Sequence, residues 1–335
     1  MDEKKLLEDN NQYYEELEIE KEKLQKANKK IVSLQKKVKI LENAVDSHTE
    51  LFNMIFIDSN FEIGGPLRKL QLQTFELLRF VVNVCEKYGY TYWLDYGTLV
   101  GAIRHNGFIP WDDEADISML RDDYEEFIKV IEIEIDNYPQ LKNVELRKGV
   151  GPLRNVTFKG KPAPCSQFVQ VSPLANVDIH PIDYYETSPD DDNKLLKEYD
   201  SKEFIEYRQN LRDKIIEGNY SDFSQLAIEY GEKINITFDR TNFMGSPMDG
   251  TIRVPLHTSD IFPLKKCEFE GEQFNIPNNT IKYLNAHYKS NLMKIPKVIR
   301  NHSRVDLIKE RIPEDELDDE FDKVIHDWKA VNLKI

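Results

Sequence analysis

Between Gly107 and Met119 the chain reads GFIPWDDEADISM, which sets Asp112, Asp113, Glu114 and Asp116 among apolar neighbours. Carboxylates packed that closely repel one another, and burying one without a partner is expensive. The run therefore implies either a solvated acidic turn or a cation among the acids. If the run is extended, side chains alternate, so Asp112, Glu114 and Asp116 share one face while Asp113 and Ala115 share the other. Hard oxygen ligands at that spacing suit Mg2+ or Mn2+. A D-x-E-x-D start also opens an EF-hand calcium loop, but the sixth position here is Ile117, where that loop needs Gly for its turn. Asp113, on the opposite face, is expected to make structural hydrogen bonds.

A second chemical feature precedes the acids. In LDYGTLVGAIRH, residues 94–105, a strand runs into Gly97-Thr98 and a helix begins there. Backbone N–H groups at a helix start, beside a residue small enough for close approach, hold phosphate. Arg104 is placed to reach the same anion, and His105 either caps helix carbonyls or joins it. A phosphate turn followed by a carboxylate cluster describes a site where a metal bridges the phosphates of a nucleotide.

Several elements must position these groups. Pro66 suits a helix N1 position, and Leu67, Leu70, Phe75, Leu78, Val81, Val82 and Cys85 keep helical spacing up to Gly89, a suitable C′ residue. YTYWLDY (90–96) is a strand, with Tyr92, Trp93 and Tyr96 assigned to the core. ADISML and NVDIHPIDYY (176–185) are further strands; on the second, His180 alternates with Asp178 onto one face, and Asp183 is assigned a structural role. Residues 190–235 look helical and highly charged. CEFEGEQFNIP (267–277) is a hairpin turning near Gly271, a helix follows from Asn279, and PEDELDDEFDKVIHDW is an acidic helix.

The stretch LRKLQLQTFELLRFVVNVCEKYGYTYWLDYGTLVGAIRHNGFIPWDDEADISM closely resembles the opening of the LicD family, which contains bacterial phosphocholine transferases and fukutin-type ribitol-phosphate transferases. VDIHPIDYY and RVPLHTSDIFPLKKCEFEGEQFNIPNNTIKYLNAHYK are similar to later segments of that family, in the same order, so the resemblance covers roughly residues 60 to 300. It implies an α+β fold of the DNA-polymerase-β nucleotidyltransferase type, a mixed sheet with surrounding helices. It implies catalytic acids at Asp112, Glu114, Asp116 and Asp178, of which Glu114, Asp116 and Asp178 bind Mg2+ or Mn2+, and a phosphate turn at Gly97 and Thr98 with Arg104. Position 114 departs from the family's usual Asp by one methylene. The activity implied is transfer of phosphocholine, or of glycerol or ribitol phosphate, from a CDP-activated donor to a hydroxyl of a glycan or glycolipid, with release of CMP. Two alternatives stay open: a nucleotidyltransferase using a nucleoside triphosphate, and a catalytically weak scaffold.

The rest of the chain bounds these expectations. With 45 basic and 60 acidic residues the formal charge is −15, which argues against nucleic acid or anionic lipid as a non-specific partner. Cys85, Cys165 and Cys267 are too few and too scattered for a disulfide framework or a zinc site and are expected to be reduced. No apolar stretch at the N-terminus suggests a secretory signal, and FELLRFVVNVC is too short and too charged to span a bilayer. A cytoplasmic protein is expected, at most peripheral to the inner face of the membrane. Residues 1–48 contain neither Pro nor Gly. Leu17, Leu24, Ile31, Val38 and Val45 recur every seventh residue, and Ala27, Leu34 and Leu41 form a second row three residues later. That seam predicts a coiled coil pairing two chains in parallel. Residues 50–335 form the catalytic domain, with an acceptor-side insertion at about 186–245.

Overall fold

The computed structural model describes residues 3–58, 64–148, 157–158, 161–162, 166–186, 201–207, 236–245, 255–288, 291–296 and 304–335, with positions 197, 210 and 233. The expected insertion at 186–245 and the helical reading of 190–235 therefore fall largely outside the described residues, as does Cys165. The chain divides into two compact units, Met1–Ser59 with Ile295–Ile299, and Asn60–Lys294 with Arg300–Ile335.

The first unit is dominated by α1 (Glu3–Asn53), which runs on into a π-helical turn at Met54–Asp58. The helix continues beyond residue 48 because no Pro or Gly intervenes to stop it, and Asn53 Oδ1 accepts from the Ile295 backbone N–H at 2.9 Å. Ion pairs three residues apart, Lys21–Glu18 at 2.6 Å and Lys23–Glu20 at 2.8 Å, add little stability each, and Glu20 interrupts the second heptad row. The seam residues Leu24, Ile31, Leu34, Val38, Leu41 and Val45 are all exposed within the single chain.

The second unit opens with α2 (Gly65–Tyr88), which Gly89 ends in a left-handed conformation, its N–H bonding back to Cys85 and Glu86 carbonyls. Then follow β1 (Tyr92–Leu94), α3 (Tyr96–His105), β2 (Ala115–Leu120), α4 (Arg121–Asp136) and β3 (Val144–Lys148). The short pair β4 (Thr157–Phe158) and β5 (Lys161–Pro162) precedes β6 (Ser166–Gln170) and the long β7 (Ala175–Tyr185). After β8 (Ile236–Thr237), β9 (Phe243–Gly245) and β10 (Leu256–His257) come a single helical turn, α5 (Thr258–Ile261), and a hairpin, β11 (Lys265–Phe269) and β12 (Glu272–Ile276). Three helices complete the unit: α6 (Thr280–His287), α7 (Arg304–Lys309) and α8 (Glu314–Asn332).

The main sheet is mixed. Its spine runs β1-β2-β7-β6-β3, with β8, β9 and β10 joined at the far end of β7. All pairings are antiparallel except β2 with β7, which run parallel in the register Asp116 opposite Asp178 and Leu120 opposite Ile182. At the far end of this pair Arg121 donates to both oxygens of Asp183, at 2.7 and 2.6 Å, and both side chains are buried. Asp183 thus has the structural role its sequence position suggested. The core lies between α2, the sheet and α8. Phe80 stacks on Phe168 at 5.7 Å and meets Trp328 edge-on at 5.2 Å, while the Trp328 indole N–H donates to Gln170 at 3.1 Å. Tyr92 and Trp93 belong to this core as expected. Cys85 is a buried free thiol and Cys267 a partly buried one. The hairpin turns through Glu270 and Gly271, both at positive φ, and Glu270 anchors it by accepting from Arg68 at 2.6 Å and from the Phe108 N–H at 3.1 Å.

Candidate metal and phosphate site

The site is built where β2 starts. Asp116 is the second residue of β2 and Asp178 lies beside it on β7, because parallel pairing puts their Cα positions opposite each other. His180, two residues along β7, shares the face of Asp178, and its Nε2 sits 3.1 Å from Asp116 Oδ1. One donor atom from each of Asp116, Asp178 and His180 lies within 4.8 Å of the others. Asp178 Oδ1 accepts from Gln167 Nε2 at 2.8 Å and from Asn176 Nδ2 at 2.7 Å, which fixes its orientation.

The Gly97–Thr98 turn packs straight onto these acids. Asp95 caps α3 by accepting from the Tyr96 N–H at 2.7 Å; its other oxygen accepts from Tyr283 Oη at 2.7 Å and from Ser118 Oγ. Gly97 and Thr98 thus occupy the first turn of α3, which starts one residue before Gly97. Thr98 Oγ1 accepts from the Asp116 backbone N–H at 2.8 Å. At Gly97 an added Cβ would lie 2.6 Å from Asp112 Oδ2 and 4.0 Å from Asp116 Oδ2, so the missing side chain is what lets turn and acids approach.

The strand begins later than the alternation of acids implied. Asp112, Asp113 and Glu114 lie in the loop before β2, after a turn closed by the Asp112 N–H to the Ile109 carbonyl at 2.9 Å. Strand periodicity therefore does not align Asp112 and Glu114 with Asp116. Glu114 reaches instead toward Arg304, the first residue of α7, whose Nη2 lies 2.6 Å from Glu114 Oε2. Asp113, buried as expected for a structural role, accepts from Arg304 Nη1 and, at 3.2 Å, from the Arg304 backbone N–H. Asn176 Nδ2 spans Asp178 and, at 3.5 Å, Glu114.

Arg104 is not gathered into this cluster. Its Nη1 donates to the Leu292 carbonyl at 2.9 Å and the Lys294 carbonyl at 3.3 Å, its guanidinium lies over the Trp111 ring, and its Nε donates to His105 Nε2 at 2.8 Å. His105 is thereby an acceptor for Arg104, and burial together with that neighbouring charge pushes its pKa down to about 4. Tyr96, assigned to the core, lies half-buried at a φ of 43° with its ring 4.5 Å from that of His180.

Electrostatics mark the acids as a site for positive charge. Burial pushes the Asp116 carboxyl well above its ordinary value, the neighbouring acids add to the rise and His180 opposes it. Burial, then the charge of Glu114, raises Asp178 in the same way. Asn176 beside them keeps a buried Oδ1 with no partner. Carboxylates that resist ionisation, a ring nitrogen within ligand distance and an unsatisfied amide oxygen together form a donor set that fits a divalent cation. Asp95, Gln167, Asn176 and Arg304 were not visible as site residues in the sequence. Asp95 alone carried a signal, as a helix-capping residue directly before the phosphate turn.

The family model described as LicD/FKTN/FKRP, nucleotidyltransferase domain, matches residues 89–150, the part that contains the Gly97–Thr98 turn and the acidic loop. The chain is 28% identical over 250 residues to the lipopolysaccharide cholinephosphotransferase LicD of Haemophilus influenzae, covering 69% of this chain and 92% of that protein. It is 46% identical over 48 residues to the ribitol 5-phosphate transferase FKRP of Mus musculus, and equally to that of Homo sapiens, covering 14% of this chain but only 10% of those proteins.

Proposed function

Because the chain carries a LicD-family domain and is homologous to the cholinephosphotransferase LicD, we propose that it is a LicD-type phosphotransferase. It moves a phospho-alcohol group, phosphocholine or glycerol or ribitol phosphate, from a CDP-activated donor to a hydroxyl of a cell-surface glycan or glycolipid, and CMP leaves. The observation that carries this reading is the parallel register of Asp116 and Asp178 against the Gly97–Thr98 turn. In this reading the sheet is a nucleotidyltransferase core, residues 50–335 are the catalytic domain and 186–245 face the acceptor.

Asp116 and Asp178, with Glu114, hold a divalent cation, Mg2+ or Mn2+, which when bound neutralises the diphosphate and lowers the pKa of the acceptor hydroxyl. The chain's own residues do the remaining work. The first turn of α3 offers its backbone N–H groups to the donor phosphates, and the bare Cα of Gly97 lets an oxygen come close. Thr98 Oγ1, already accepting from Asp116, keeps its own hydrogen to donate. Asp112 stands beside Gly97, where it can take the proton of the acceptor hydroxyl. Arg104 joins the phosphates only by leaving the Leu292 and Lys294 carbonyls. No helix among the described residues is long and apolar enough to cross a membrane, and the reading places the enzyme in the cytoplasm beside its lipid-linked acceptor.

The test is incubation with a panel of CDP-alcohols and Mg2+, scored by CMP release, for the wild type and for Asp116→Asn and Asp178→Asn. CMP from one donor, lost in both variants, is the expected result; activity that survives both substitutions or EDTA overturns it. Pyrophosphate from a nucleoside triphosphate would move the assignment to nucleotidyl transfer. The same reading pairs two chains through α1, since its exposed heptad rows need cover that a second copy supplies. Light scattering on the full chain should show a dimer that an Ile31→Glu, Val38→Glu double variant loses; a monomeric wild type refutes the pairing.

A further inference from the structure

The donor set that the fold assembles differs in kind from a cluster of acids. His180 is almost fully buried, and its Nε2, not its Nδ1, faces Asp116 Oδ1 at 3.1 Å. Neighbouring ligands of an octahedral cation with bonds of about 2.1–2.2 Å stand about 3.0 Å apart, so these two atoms already have the separation of adjacent ligands. Asp178 supplies the third donor within 4.8 Å. The imidazole cannot readily turn away, because the Tyr96 ring lies 4.5 Å from it, centre to centre, and the strand holds its backbone opposite Ser118. Asp116 is also fixed, through its backbone N–H to Thr98.

We propose that His180 is a metal ligand, so that an imidazole joins the carboxylates and the site takes Mn2+ in preference to Mg2+. This rests on the phosphotransferase reading above for the presence of a metal, and goes beyond it in naming a nitrogen ligand and the direction in which it shifts the choice between Mn2+ and Mg2+. Mg2+ demands oxygen ligands and a small regular octahedron, whereas imidazole suits the first-row transition ions and raises their affinity more than that of Mg2+. His180 Nε2 and Asp116 Oδ1 share one hydrogen bond whose direction follows the tautomer. A metal-bound His180 would carry its proton on Nδ1 and present the Nε2 lone pair to the cation from the ring position already observed.

The experiment uses the full chain and Mn2+ alone as probe. Pulsed electron paramagnetic resonance on the Mn2+-loaded wild type should show the nitrogen coupling of a directly bound imidazole. Calorimetric titration should show Mn2+ binding at least tenfold tighter than Mg2+. His180→Phe should abolish the coupling and weaken Mn2+ binding at least tenfold while changing Mg2+ binding less than threefold. His180→Gln, which keeps a polar group and an oxygen donor, should also lose the coupling and serves if the Phe variant does not fold. If Asp116→Asn weakens Mn2+ binding but the wild type shows no nitrogen coupling, the His180 assignment is overturned and the phosphotransferase reading stands. If neither Asp116→Asn nor Asp178→Asn changes Mn2+ binding, the metal site itself is refuted and this inference falls with it. Equal affinity for the two ions overturns the preference.

Discussion

Arg304 should decide whether the acidic loop is stable at all without a metal. Its guanidinium, with the side chain 12% exposed, is shared between Asp113, 4% exposed, and Glu114, 15% exposed. Arg304→Met keeps the stem and the backbone N–H to Asp113 but leaves a buried carboxylate without its counter-charge. Removing one member of a buried ion pair costs about 3–5 kcal/mol, far more than the pair contributes as a whole. Nearly all of that falls on Asp113, since Glu114 is less buried and has Asn176 within 3.5 Å. At about 2–4 °C per kcal/mol for a folded unit of this size, Tm should drop by roughly 6–20 °C. Arg304→Met combined with Asp113→Asn should recover most of the loss, because the two residues share one interaction. Differential scanning calorimetry on the wild type, both single variants and the double variant completes the cycle. A Tm change under about 2 °C in Arg304→Met, or losses in the double variant that simply add, would refute the argument that this arginine neutralises Asp113.

Three further outcomes are expected. Gly97→Ala places a methyl 2.6 Å from Asp112 Oδ2, so Asp112 must swing aside; transfer should fall at least tenfold, about 1.4 kcal/mol in the barrier, with far-ultraviolet circular dichroism unchanged. Arg121→Met and Asp183→Leu should each cost about 3–5 kcal/mol in urea unfolding while the double variant costs much less, since two apolar groups replace a buried pair. His105 is neutral in the folded chain, with its pKa lowered from 6.5 to about 4, so the unfolded chain binds the proton first as pH falls. Its contribution to stability is therefore complete above about pH 6.5 and is lost between there and pH 4, by at most about 3 kcal/mol and less after screening by solvent. The slope of urea midpoint against pH over that window should flatten in His105→Gln, and an unchanged slope would contradict it.

Local chemistry made much of the frame legible. Helical spacing and Gly89 bound α2, the apolar stretches ADISML and NVDIHPIDYY located β2 and β7, and Gly271 marked the hairpin turn, because each depends only on neighbours along the chain. The site was half legible for the same reason. Asp116, Asp178, Gly97 and Thr98 sit on elements whose type follows from period and capping. What escaped was set by partners distant in sequence. Arg104 was in reach of the phosphate turn by helix geometry alone, but carbonyls near residue 292 hold it. Glu114 was assigned to the face of Asp116, but a turn at Ile109–Asp112 delays the strand and an arginine 190 positions away engages the side chain. His180 was ambiguous because its role depends on which residue stands next to Asp178, and only the parallel register decides that.

That register also governs when, during folding, the protein can acquire its charge balance. Parallel neighbours cannot be joined by a tight turn, so Asp116 meets His180 across 64 residues of chain, and Asp113 meets Arg304 across 191. Closing loops of that length precedes any gain from the contacts they bring, which makes these among the slower steps of folding. Until then the acids of the loop are made without their arginine and stay hydrated, and their mutual repulsion works against premature collapse around β2. Assembly of the cluster is therefore a late, all-or-none event that registers correct pairing of β2 with β7. A chain paired one residue out of step would place Asp178 on the opposite face of the sheet, away from Asp116 and from the Gly97–Thr98 turn together.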